Sequence, residues 1–455
     1  PLNHFIKNLF THIVSSKHFF VLCFAITYPL ERLNYNKGKI MKTKVSKLFI
    51  IAFVVSSCIN AWPFDKVNDW ITPYEQRSIT VEKETLPKIF NVLPSLQTKI
   101  PYVSIANLPT PVKQLEKLGN NLGANNLYFK DDGLTAPLFG GNKIRKLEFL
   151  LADAIYNKAT SIITIGDAGS NCVLATLAQA KKLGFKDVHC ILGPQLNTAY
   201  LQRNLLLNLF YGGKVEYCET EKKQAEAIWK LSSKLQKEGE RPYLVGSGAT
   251  CPVSYLGYMN AAFELKKQIE EGLIPEPDYI YVPLGSCGTA GGLILGVQLA
   301  GLKSKIIPVA INGSQGDAFF RTELLLESIN EAISFFTKLD PTFPIKPMKV
   351  SDIEHRNNFA DCDYAEVTKE VADALEVLAS SEKIKLEGTY TGKALAGMLS
   401  DIQQQNDLKE KTILFWNTFC YGTFEEITKT VNYKNLPKNL HNFFEEELQP
   451  LDNGL

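Results

Sequence analysis

Between residues 126 and 311, short β-rich runs alternate with helical patterns at a spacing that suits one architecture, a parallel sheet covered by helices on both faces. The runs fall at 126–130, 161–165, 188–192, 214–217, 242–245, 279–284 and 306–311, and the helical patterns at 143–157, 171–183, 198–211, 221–237, 254–271 and 289–301. After a less regular stretch from about 314 to 362, helices are expected at 364–380 and 392–405 and a last strand at 412–416. Residues 62–103 are polar and punctuated by Pro73, Pro87, Pro94 and Pro101, which reads as a lead-in arm, and 430–455 read as a surface tail. With 455 residues, 45% of them hydrophobic, the chain can bury two sizeable cores. Lys plus Arg (49) nearly cancels Asp plus Glu (48), so a nucleic-acid partner is not expected.

Met41 is the first methionine, and Met41-Lys-Thr-Lys-Val-Ser-Lys47 followed by Leu48-Phe-Ile-Ile-Ala-Phe-Val-Val55 has the basic start and short apolar run of a secretory signal. Two processing forms fit its end: cleavage after Ala61, or a lipid anchor at Cys58 in Val55-Ser-Ser-Cys58. The apolar run is too short to span a bilayer comfortably. Residues 1–40 are expected to be an upstream extension and 41–61 a signal, which implies an exported protein, periplasmic or secreted; the alternative is a cytoplasmic one. Cys172, Cys190, Cys218, Cys251, Cys287, Cys362 and Cys420 lie beyond it, odd in number and without metal-ligand spacing, so neither a disulfide framework nor a metal site is expected.

Ligands of open α/β sheets bind beyond the carboxyl ends of the strands, where loops enter helices, and this rule selects the loops to inspect. Phe139-Gly-Gly-Asn-Lys-Ile-Arg-Lys-Leu-Glu-Phe149 puts Lys143 at a helix mouth, with Gly140 and Gly141 allowing close backbone approach. The helix dipole there favours a neutral amine, the form that condenses with an aldehyde. Read alone, Lys143, Arg145 and Lys146 are equally a solvated basic helix start. Gly285-Ser-Cys-Gly-Thr289 directly follows the 279–284 run and suits an anion cradle at a helix N-terminus, with phosphate its natural occupant, though Ser286 or Thr289 could equally make a plain helix cap. In Gly166-Asp-Ala-Gly-Ser-Asn-Cys172, Ser170 and Asn171 could donate to a carboxylate or a cofactor oxygen, though each is also an ordinary helix cap. Gly388-Thr-Tyr-Thr-Gly-Lys-Ala394 places the Tyr390 phenol at a loop tip where it could move a proton, and Thr418 in Trp416-Asn-Thr-Phe-Cys420 would face the same crevice.

In this order the loops resemble the fold-type II pyridoxal-phosphate (PLP) enzymes, and within them the D-cysteine desulfhydrase and 1-aminocyclopropane-1-carboxylate (ACC) deaminase family, over roughly residues 105–425 from Leu108-Pro-Thr-Pro111 onward. The resemblance implies two open parallel-sheet α/β domains of the tryptophan synthase β-like type with the cofactor cleft between them. The large domain would be 104–159 plus 259–430 and the small one 160–258, flanked by the arm (62–103) and tail (431–455). It implies pyridoxal 5'-phosphate held as a Schiff base on Lys143, with Asn142 beside it, Asn171 on the ring hydroxyl, Gly285, Ser286, Cys287, Gly288 and Thr289 on the phosphate, and Thr418 on the pyridine nitrogen. Ser170 and Tyr390 would line the substrate side, with Tyr364 as a further candidate. The implied reaction is β-elimination from a small amino acid, D-cysteine giving pyruvate, sulfide and ammonia, by a homodimer. ACC deaminase activity is the alternative, but ring-opening deaminases are expected to carry a glutamate where Thr391 stands. A second alternative is an exported relative that binds an amino acid or PLP without turnover. The sequence departs from the family pattern at Asp167, Ala168 and Cys172 and at Asn417, Phe419 and Cys420, all around the expected substrate pocket.

Overall fold

The computed structural model describes residues 67–79 apart from 69, then 86–312, 320–359 and 361–452. The segments read as upstream extension and signal, 1–40 and 41–61, lie outside the described residues. Strands β1 (Val112–Gln114), β2 (Leu127–Asp131), β7 (Tyr279–Leu284), β8 (Lys305–Ala310) and β9 (Ile413–Asn417) form a five-stranded sheet in the order β1-β2-β9-β7-β8. Strands β3 (Ser161–Asp167), β4 (Asp187–Gly193), β5 (Lys214–Tyr217) and β6 (Pro242–Val245) form a second sheet in the order β5-β4-β3-β6. Every pairing is parallel except the edge pair β1–β2, a three-residue strand the sequence reading passed over.

The strands read as apolar runs because both of their faces are covered. Along β7, Ile280, Val282 and Leu284 join one core cluster while Tyr281 joins another, and along β9 Leu414 and Trp416 part from Phe415 in the same way. Helices α1 (Glu116–Leu122), α2 (Lys143–Tyr156), α3 (Asn171–Lys182), α4 (Ala199–Phe210), α5 (Glu221–Lys237), α6 (Tyr255–Glu270), α7 (Gly288–Ala300), α8 (Phe320–Leu339), α9 (Lys369–Glu382) and α10 (Thr391–Gln404) provide that cover. Helix α8 occupies much of the stretch read as irregular.

The flanking segments are less peripheral than their polarity suggests. In the lead-in, Ile89, Phe90, Leu93, Leu96 and Ile100 are buried in the largest core cluster, and near the C-terminus Leu436 and Leu440 are buried there too. Among the described residues no helix is long and apolar enough to cross a membrane.

Candidate active site

The loop before α2 is held by the end of β9. Asn142 N donates to the Thr418 carbonyl at 3.0 Å, and Gly140 N to Cys420 Sγ at 3.2 Å. Gly141 has φ +92°, and a Cβ there would stand 2.9 Å from the Thr418 oxygen, so this close approach requires glycine. Lys143 is the first residue of α2 and its Nζ donates to Asn142 Oδ1 at 3.1 Å. The amine is displaced toward its neutral form, as expected, but burial is the leading cause, with Cys172 and Glu387 pulling the other way.

The basic residues after it are not solvated. Arg145 is buried against Asp132 (2.7 Å) and Glu264 (2.9 Å), with Tyr258 and Trp416 also donating to Asp132. Lys146 is fully buried one turn beyond Lys143, where its Nζ donates to the Gly248 carbonyl at 2.9 Å and to Thr250 Oγ1 at 3.2 Å. Burial, reinforced by Lys143, brings its pKa down to about 7.

The turn Gly285–Thr289 meets this group at the start of α7. Asn142 Nδ2 donates to Thr289 Oγ1 at 2.9 Å, Ser286 Oγ lies 2.9 Å from Thr250 Oγ1, and Cys287 is held at φ +67°. A Cβ on Gly288 would lie 3.0 Å from Lys146 Nζ and 2.8 Å from Thr250 Oγ1. Lys143, a buried second lysine, two hydroxyl-bearing loops and a helix N-terminus are thus brought together.

The second sheet supplies the loop after β3. Ser170 caps α3, its Oγ accepting from Val173 N at 3.3 Å, and Asn171 Oδ1 accepts from Asn204 Nδ2 at 2.9 Å. Cys172 is buried between the influences of Lys143 and Lys146, with burial pushing its thiol pKa up. Tyr390 precedes α10, where the Glu387 carboxylate accepts N–H bonds from Thr389 (2.7 Å), Tyr390 (3.0 Å) and Thr391 (2.7 Å). The Tyr390 hydroxyl is hydrogen-bonded to that of Tyr364, and burial holds both phenols in the neutral form. Thr391 Oγ1 also donates to Glu387, at 2.8 Å, which makes it part of the helix cap.

The departures at the end of β9 have local partners. Asn417 Nδ2 donates to Asp131 Oδ1 at 2.9 Å while its Oδ1 accepts from Phe419 N at 2.9 Å, so its amide braces the strand end. Sequence reasoning missed Lys146, Thr250 and Asn204. Only Lys146 carried a usable signal: three residues from Lys143, it had to share that face of the helix.

The sequence model of the family described as pyridoxal-phosphate dependent enzyme matches residues 103–418. A D-cysteine desulfhydrase of Klebsiella pneumoniae (strain 342) is 32% identical over 328 residues, which span 70% of this chain and 94% of that protein. A Pyrococcus furiosus protein provisionally described as a 1-aminocyclopropane-1-carboxylate deaminase is 33% identical over 344 residues, 74% of this chain and 98% of that one. The crystal structure of an ACC deaminase homologue, 29% identical, superposes with a TM-score of 0.62 over 76% of this chain and 98% of its own.

Proposed function

Because the chain belongs to the pyridoxal-phosphate dependent enzyme family, its cofactor is pyridoxal 5'-phosphate, and we propose that it is a lyase removing the β-substituent of a small amino acid, with D-cysteine as substrate. The observation that carries this reading is the Asn142–Thr289 bond, which ties the residue before the Lys143 amine to a helix-start anion cradle with the Lys146 amine beside Gly288. The donor set fits a phosphate ester: hydroxyls, first-turn N–H groups and a cation surround a turn that one added Cβ would fill. Lys143, Asn142, Asn171, Thr418 and the turn Gly285–Thr289 would hold the cofactor, with Lys146 as counter-charge to its phosphate.

Once bound, PLP supplies an electron-withdrawing ring that acidifies the α-carbon of an attached amino acid. Burial displaces the Lys143 amine toward its neutral form, which suits it to take the α-proton. Ser170, which caps the start of α3, would face the substrate carboxylate. Thr418 would offer the ring nitrogen a hydroxyl in place of a carboxylate, and a hydroxyl does not keep that nitrogen charged, which would favour loss of a β-group over racemisation or transamination. The products are a 2-oxo acid and ammonia, with sulfide when the substrate is D-cysteine. Thr391, engaged with Glu387, stands where a ring-opening deaminase would carry a glutamate, and so supports the desulfhydrase reading over ACC deamination.

The purified protein should show a visible cofactor absorbance that Lys143→Ala abolishes, and should release pyruvate and sulfide from D-cysteine. Absorbance without a keto acid from any member of a D- and L-amino acid panel, ACC included, would instead indicate a protein that binds without turnover. The proposal includes a homodimer and an exported chain, processed after Ala61 or lipidated at Cys58; the composition of 41–61 supports the second of these, and the N-terminal mass of natively expressed protein checks it.

A further inference from the structure

The segment 446–452 lies beyond the residues 103–418 that match the family, and hydrogen bonds hold it to loops of both sheets. Just before it, Phe443 seats the chain beside the second sheet. Its carbonyl accepts from Gln202 Nε2 of α4 at 2.5 Å, and its ring meets that of Tyr217, the last residue of β5, edge-on with centroids 5.9 Å apart. Asn197, in the loop that enters α4, donates from Nδ2 to the carbonyls of Glu446 and Glu447, each at 3.2 Å, and its own carbonyl accepts the Gln449 N–H at 3.0 Å. Asp452 Oδ2 accepts the Ala199 N–H at 2.8 Å in the first turn of α4. The Gln449 side chain turns to the lead into α9, on the side of the five-stranded sheet. Its Nε2 donates to the Ala365 carbonyl at 2.6 Å and its Oε1 accepts the Val367 N–H at 2.9 Å. One amide thus answers two backbone groups of buried residues, as a neighbouring strand would.

Ala365 is a residue that needs such support. It is fully buried with φ +66°, a left-handed backbone that a Cβ disfavours and that persists only where the surroundings impose it. Gln449 grips it at its carbonyl and again two residues on. Tyr364 directly precedes it, so this kink sets the direction in which the Tyr364 ring leaves the chain toward Tyr390. At its other end the strap holds the loop that steadies Ser170. Gln195 Oε1 accepts the Gly169 N–H at 2.9 Å, while Gln195 Nε2 donates to the Tyr200 hydroxyl at 2.8 Å. That hydroxyl also accepts from Thr389 Oγ1 at 3.0 Å, one residue before Tyr390.

We propose that Gln449 is a positioning residue for the substrate side: with its backbone fixed on Asn197 and its side chain holding Ala365 left-handed, it sets the Tyr364 phenol relative to the Ser170 loop. This rests on the reading above in taking Tyr364 and Ser170 as residues that face the substrate. Without the Gln449 amide, Ala365 relaxes to negative φ and Tyr364 swings away from Tyr390, so that binding a substrate must first restore the kink. The effect belongs to substrate binding and not to the cofactor, because the strap's bonds to Asn197, Ala199, Ala365 and Val367 involve neither Lys143 nor the turn Gly285–Thr289.

The test uses the full-length protein and three variants: Gln449→Ala, Gln449→Ala combined with Ala365→Gly, and Asp452→Ala. In the holoenzyme, Gln449→Ala should raise KM for D-cysteine about tenfold, the size of one left-handed residue's relaxation, while kcat changes less than about threefold and the visible absorbance is retained. Adding Ala365→Gly should bring KM back to within about threefold of wild type, because glycine takes positive φ unaided. A tail that merely stabilised the fold would respond in the opposite sense, since the extra glycine loosens the chain further. Asp452→Ala releases the strap only at its α4 end. In the cofactor-free protein it should nevertheless quicken amide exchange at 364–368 by about threefold or more. A KM that Ala365→Gly does not restore, or exchange at 364–368 that Asp452→Ala leaves unchanged, would overturn the proposal. If the wild type releases no keto acid from D-cysteine, the elimination reading fails, and the exchange measurement still decides whether the strap holds Tyr364.

Discussion

Lys146 shows how one buried side chain can be costly to the empty protein and useful to the loaded one. Its ammonium is answered by a carbonyl and a hydroxyl, and among the described residues it forms no ion pair with a carboxylate. A lysine with a pKa near 10.5 in the unfolded chain and about 7 when folded makes stability pH-dependent in a definite direction. Between those two values the unfolded chain holds a proton that the folded one gives up, so stability rises with pH across that window, and below about 7 the penalty is felt in full. Lys146→Met should therefore stabilise the cofactor-free protein by on the order of 4 kcal/mol near pH 6, an advantage that shrinks toward zero as pH approaches the lysine's ordinary value. Denaturant midpoints measured across pH check this, and a pH-independent difference would contradict it. The same variant should bind pyridoxal phosphate roughly 100-fold more weakly while its affinity for pyridoxal stays near wild type, since the ammonium answers the phosphate.

The start of α10 is stabilised by a residue outside the helix. The Glu387 carboxylate gathers the N–H groups of Thr389, Tyr390 and Thr391 and the Thr391 hydroxyl, neutralising the positive end of a 14-residue helix and fixing the backbone on which Tyr390 rides. Glu387→Gln should cost about 1–3 kcal/mol in urea denaturation, because an amide has one acceptor oxygen where the carboxylate has two. It should also lower kcat more than it raises KM, through loss of Tyr390 placement. An unchanged urea midpoint would mean that the cap contributes nothing. This contact was not read from Gly388-Thr-Tyr-Thr-Gly-Lys-Ala394, because the acceptor is Glu387, the residue just before that motif. Apart from β1, the strands and most helices, by contrast, were legible to within one or two residues, as apolar runs bounded by turn residues survive without knowledge of their partners. Helix α8 escaped because Leu324, Leu325 and Leu326, and then Phe335 and Phe336, spread apolar side chains around its axis and blur the stripe that Leu325, Ile329, Ile333 and Phe336 bury. The lead-in and the C-terminal segment escaped because a few anchors in a polar run, Leu96 or Leu440 for example, gain meaning only from the groove that receives them.

Among the described residues there are two sheets, and the residues assigned to the cofactor come from both. Lys143, the turn Gly285–Thr289 and Thr418 are mounted on the five-stranded sheet, whereas Ser170 and Asn171 stand at the end of β3 in the other, with Asn171 steadied by Asn204 of α4. A ligand that touches only the first group would leave the second unaffected. One whose ring reaches Asn171 while its phosphate rests on Gly288 must bridge the two, and binding energy is then stored as restraint on both loops. Hydrogen exchange should report this directly. Pyridoxal phosphate should slow amide exchange at both 166–173 and 285–291, whereas inorganic phosphate should protect only 285–291. Asn204→Ala, which frees the Asn171 side chain, should weaken protection at 166–173 with little change at the anion cradle. Protection by pyridoxal phosphate confined to 285–291 would place the ring away from the loop after β3 and remove Ser170 and Asn171 from the site.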